Sequence, residues 1–138
     1  MMGIEVQSLE VRRPEDFDTV FEAARQHHPD ALITVEDPLT INYRNKIVDF
    51  AATNRLPAIH GFREFVEAGG LMSYGASLVH LFRQSAIYVD KILKGAKPAD
   101  LPVEQPTQFE LVINLKASTA LGLTIPPTIM VQADKLIE

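Results

Sequence analysis

The sequence predicts an α/β domain of three layers, α-β-α, built on a mostly parallel, doubly wound sheet. Three observations predict it. Short apolar runs alternate with stretches of helical period along the whole chain. One run, Asp30–Val35 ("DALITV"), is continuously apolar, the pattern of a strand buried on both faces. Proline, glycine and small polar residues punctuate the joins.

The elements follow in order. Ile4–Val11 is a first strand candidate with loose alternation. Arg12–Asp30 ("RRPEDFDTVFEAARQHHPD") carries a helix: Pro14 suits a first turn, Glu15 and Asp16 complement the amino end, and Phe17, Val20, Phe21 and Ala24 form one stripe. After the Asp30–Val35 strand and a turn at "EDPLT", one helix is expected from about Leu39 to Asn54, with Tyr43, Ile47, Phe50 and Ala51 on one face. Pro57 opens a strand "PAIHG", Phe62–Ala68 forms a short helix stopped by Gly69–Gly70, and "GLMSY" is the next strand. Ser77 caps the longest helix, which runs to about Lys94 with Leu78, Leu81, Phe82, Val89, Ile92 and Leu93 on one face. "AKPADLPVEQPT" reads as an extended connector, Gln108–Leu115 as an alternating strand, and Ala117–Leu121 and Pro127–Ile137 as closing helices.

Length and composition narrow the function. At 138 residues, 46% hydrophobic and 22% charged, the chain fits one soluble domain, residues 1–138. A net charge of −5 and the lack of long Lys/Arg runs argue against a nucleic-acid partner. No apolar run approaches a membrane span, so membrane insertion is not expected. The absence of cysteine excludes disulfides and thiol chemistry. The first residues, "MMGIEVQSLEVRRPED", lack a signal-peptide pattern, which predicts a cytoplasmic location for the chain as written.

In a parallel α/β sheet, ligands bind outside the carboxyl ends of the strands. Three segments fall there: Glu36–Leu39, His60–Phe62 and Ser73–Gly75. The candidate ligand-binding residues are therefore Asp37, His60, Gly61, Phe62, Ser73, Tyr74 and Gly75. Each has a plainer role. Asp37 suits the amino end of a helix, Gly61 a turn, Phe62 and Tyr74 core packing. Ser73 lacks a His–Asp pair and a G-x-S-x-G elbow, so no catalytic residue and no enzyme activity are expected. "VEAGG" is not a phosphate loop. His27 and His28 are adjacent at a helix end, point in different directions and have no evident third ligand, so no metal or other cofactor is expected. His80 reads as a surface residue, and Arg63 with Glu64 as a solvated face or ion pair. Aromatics, glycines and a few polar groups without catalytic machinery suit reversible capture of a small solute.

"LPAIHGFREFVEAGGLMSYG" (Leu56–Gly75), "YVDKILKGAKPADLPVEQPTQFELVINLKASTALGL" and "IPPTIMVQADKLI" resemble the carboxyl-terminal part of ABC-transporter solute-binding proteins. The branch resembled is that of tryptophan and other small solutes. The resemblance implies one lobe of a type I periplasmic-binding, Rossmann-like fold, with an amino acid or similar small solute as ligand, ABC permease subunits as partners and a periplasmic location. His60 departs from the family pattern, where an aromatic residue, usually Tyr, is expected. Family members are about twice this length and close on ligand between two lobes. The resemblance makes Ile4–Val11 the second strand of the second lobe, and makes residues 77–105 the segment that crosses to the first lobe. A truncated lobe would expose strand edges and the Ser77–Lys94 stripe, which predicts a homodimer. An alternative is a self-standing homo-oligomer with a structural or small-ligand sensory role and no transport activity.

Overall fold

The computed structural model describes residues 3–138. The helices are α1 (Asp16–His27), α2 (Pro38–Asn42), α3 (Arg44–Thr53), α4 (Arg63–Glu67), α5 (Leu78–Leu93), α6 (Leu115–Leu121) and α7 (Pro127–Met130). The strands are β1 (Leu32–Ile33), β2 (Ala58–His60), β3 (Met72–Ala76), β4 (Phe109–Asn114) and β5 (Lys135–Ile137). They form one sheet in the order β1-β2-β3-β4-β5, parallel at every pair except β3–β4.

The topology dictates which face is covered. From β1 to β3 the chain steps in one direction, and right-handed crossovers then place every connecting helix on the same face. Phe17 of α1, Ile47 and Val48 of α3 and Phe65 of α4 form the core there, with Leu32 packed against them. Leu32, Ala58, His60 and Ser73 point to this face by register. β4 runs antiparallel to β3, so the β4–β5 crossover through α6 and α7 falls on the opposite face by the same rule. Ile113, on that second face, is fully buried. The three-layer arrangement is met, but the second face stays open over β1–β3, where Ile33 is 71% and Tyr74 59% exposed.

Four expectations need correction. Ile4–Val11 lies outside the sheet: Ile4 and Val6 are exposed, and only Val11 packs on the core. The segment adds to neither edge of the sheet: β1 pairs with β2 only, and its other edge stays open. Asp30–Val35 is not buried on both faces. Only Leu32–Ile33 pair, at the sheet edge, and Ile33 and Val35 face outward. The expected Leu39–Asn54 helix is two helices. Tyr43 leaves helical geometry between them (φ −102°, ψ 17°), and its ring lies 5.2 Å from that of Phe17. The last helix ends at Met130, and Lys135–Ile137 is a strand. Asp134 explains the switch. Its amide donates to the Leu111 carbonyl at 2.9 Å, and its carboxylate accepts from the Leu111 amide at 2.8 Å, tying the segment to β4. Sheet pairing outweighs the helical spacing of Ile129, Ala133 and Ile137.

Candidate ligand site at the strand ends

β1, β2 and β3 are parallel neighbours, so their carboxyl ends emerge side by side. The three expected segments meet there. The Glu36 carboxylate accepts a hydrogen bond from the Gly61 backbone amide. It fills the space where a Cβ on residue 61 would stand. At Gly75 a Cβ would run into the Gly61 carbonyl oxygen, so the ends of β2 and β3 close backbone to backbone because residue 75 is glycine. Glu36 is only partly exposed, and its desolvation raises its pKa above the ordinary carboxylate value, while the Gly61 N–H works in the opposite direction.

The other candidates divide between this surface and the core. Asp37 caps α2: its carboxylate accepts from the Thr40 amide at 2.7 Å, and the Thr40 hydroxyl accepts from the Asp37 amide at 2.8 Å. The Thr40 amide holds the Asp37 carboxyl below its ordinary pKa. His60 is 2% exposed, stacked on Phe65, with Nδ1 3.0 Å from the Thr34 hydroxyl. Phe62 packs on the core cluster from the start of α4. Ser73 is buried beside His60, its register partner. Tyr74 alone among the aromatics of this set presents its ring on the open face, 6.0 Å from Phe109.

Sequence reasoning named the segment beginning at Glu36 but singled out its neighbour Asp37. The available signal was a long carboxylate at the end of one strand and a bare glycine at the end of the next. Which glycine it would reach depends on strand register, which spacing alone does not supply.

His60 and Ser73 sit side by side, and His60 Nε2 and the Ser73 hydroxyl are both buried without a hydrogen-bond partner. Both lie under α4, shut off from a solute on the open face. Among the described residues, no group of three or more His, Cys, Asp or Glu side chains is placed to hold a metal ion. His80 is half-buried, its Nε2 3.2 Å from the Gln84 amide nitrogen. Arg63 pairs with Glu67 at 2.7 Å and Glu110 at 3.7 Å rather than with Glu64. A groove of about 670 Å³ lies away from the strand ends, between α5 and the Pro98–Thr107 connector, bridged by the Tyr88 hydroxyl on the Pro102 carbonyl. α5 buries none of its residues. No helix among the described residues is long and apolar enough to cross a membrane.

Strand ends, glycines and one open aromatic meet at this edge of the sheet, and comparison with known proteins places the whole chain. The profile of the ABC transporter substrate-binding protein family matches residues 1–137. The chain belongs to that family.

Solved structures place this substrate-binding chain among similar folds. An ABC domain in complex with L-Trp from Streptococcus pneumonia is 27% identical, with a TM-score of 0.88 over 98% of this chain and 46% of that one. A conserved domain protein from Vibrio cholerae O1 biovar El Tor is 26% identical, with a TM-score of 0.81 over 88% of this chain and 41% of that one. A ligand-free, open substrate-binding protein with adhesive properties from Clostridium difficile shares the fold at 20% identity, with a TM-score of 0.61 over 92% of this chain and 42% of that one. The substrate-binding chain thus spans less than half the length of each of these structures. Comparison with curated proteins gave no match. The family is one of substrate-binding proteins and not of enzymes.

Proposed function

We propose that this chain is a solute-binding lobe of an ABC transport system, capturing a small solute such as an amino acid without covalent chemistry. The observation that carries the reading is the meeting of three parallel strand ends beside an open aromatic. Glu36, Gly61 and Gly75 form the floor, and Tyr74 supplies a wall on the open face. Asp37 lies beside the floor at the head of α2. Phe62, His60 and Ser73 support it from beneath, packed toward α4. The L-Trp complex of the streptococcal relative supports an aromatic amino acid as the solute class. Transport function brings ABC permease subunits as partners and an extracytoplasmic, periplasmic-type location.

The test is an amide NMR titration of the full chain with L-tryptophan. One lobe supplies only part of a ligand's contacts, so a dissociation constant of about 1 mM or weaker is expected. Shifts concentrated at Gly61, Tyr74 and Gly75 support the reading. Shifts confined to the α5 groove, or none at 10 to 20 times about 1 mM, refute it.

A second observation favours self-association as well. α5 leaves Val79, Phe82, Val89 and Leu93 exposed, and β1 is an open edge without a lysine or proline to block pairing. We infer a two-fold homodimer with α5 in the interface and the Ile4–Val11 segment near it.

A further inference from the structure

Glu36 is partly buried beyond the end of β1. Among the described residues, no ion pair includes Glu36 or Asp37. Arg63, two residues beyond Gly61, is occupied by Glu67 and Glu110. The hydrogen bond that ties the Glu36 side chain to another of the described residues comes from the Gly61 amide. Partial desolvation without a counter-charge is unfavourable for a carboxylate, and a cation arriving from solution would relieve it.

The position of this carboxylate is specific. His60 faces α4, so by alternation Ile59 faces the other way. Tyr74 follows Ser73, the partner of His60, and also faces that way. The Glu36 carboxylate stands where a Gly61 side chain would. A backbone N–H at a strand end is an ordinary receptor for a solute's carboxylate. Here it is already taken by a carboxylate of the protein itself. An incoming anion would have to displace the Glu36 carboxylate from that N–H and remain beside it. An incoming ammonium meets a partly desolvated carboxylate that takes part in no ion pair among the described residues.

We propose that Glu36 determines charge specificity at this site: by holding the Gly61 N–H it selects a solute presenting an ammonium or other organic cation at this strand end, and rejects one presenting a carboxylate there. This rests on the solute-binding reading above and assigns a charge to one end of the solute.

Two probes with one aromatic body test it: tryptamine, which carries only the ammonium, and indole-3-propionate, which carries only the carboxylate. Each is titrated into the full chain while the Gly61 and Tyr74 amides are followed by NMR. Wild-type protein should bind tryptamine at least about tenfold more tightly than indole-3-propionate. Glu36→Gln keeps an acceptor for the Gly61 N–H but removes the charge, and should bring the ratio close to one. Glu36→Ala frees the N–H as well and should make indole-3-propionate the tighter probe. A wild-type preference for the anion, or a cation preference unchanged in both variants, overturns the assignment to Glu36 and leaves solute binding standing. If neither probe moves Gly61 or Tyr74 in any of the three proteins, solute binding at this site fails and the specificity proposal falls with it.

Discussion

The His60 imidazole lies flat against the Phe65 ring, centroids 4.5 Å apart and planes 13° from parallel. The contact places a titratable side chain inside the layer between the sheet and α4. Burial lowers its pKa from 6.5 to about 4.

That depression sets a pH dependence of stability. The ring is neutral in the fold and charges more easily in the unfolded chain, so its contribution is complete above pH 6.5 and is lost as pH falls from 6.5 toward about 4. The shift corresponds to about 3 kcal/mol at most. Urea melts between pH 7.5 and 4.5 should show wild type losing more stability than His60→Leu over that window. Equal losses would mean that another group controls the acid transition.

Tyr74 and Phe65 should separate cleanly. Tyr74 projects from the open face and Phe65 is fully enclosed. Tyr74→Ala should cost less than about 1 kcal/mol, and Phe65→Ala about 3–5 kcal/mol. Denaturant melts decide, and a Tyr74→Ala loss as large as that of Phe65→Ala would assign Tyr74 to packing rather than to a binding wall.

The two glycines should also differ. Ala at position 75 meets the rigid Gly61 carbonyl, whereas Ala at position 61 meets the movable end of Glu36. Gly75→Ala should destabilise by about 1–3 kcal/mol or more, and Gly61→Ala by well under that. Thermal melts of the two variants check the order; the reverse order would contradict the close approach of β2 and β3.

Assembly is testable by light scattering coupled to size exclusion. Phe82 is 75% and Leu93 82% exposed on α5. The full chain should elute as a dimer at micromolar concentration, and Leu81→Glu with Phe82→Glu should give monomer or aggregate. A clean 15.3 kDa species for the unmodified chain removes the dimer.

Local pattern determined much of this protein. The α1 stripe of Phe17 and Ala24, the Ser77 cap of α5 and the strands around Ile59 and Tyr74 follow from spacing and cap chemistry, which act over a few residues. The mostly parallel arrangement was legible for the same reason, because alternating short strands and helices leave few other topologies. Tertiary structure alone decided the rest. Ile4–Val11 has a strand's composition but no partner, and Lys135–Ile137 has a helix's spacing but is captured by β4 through Asp134. Asp37 was equally a ligand group or a cap until Thr40 was placed beside it. His60 is a candidate by its place at a strand end, but alternation turns it toward Phe65, and Glu36 meets Gly61 only through the pairing of β1 with β2. Sheet pairing and register couple residues 25 or more positions apart, and no local pattern carries that information.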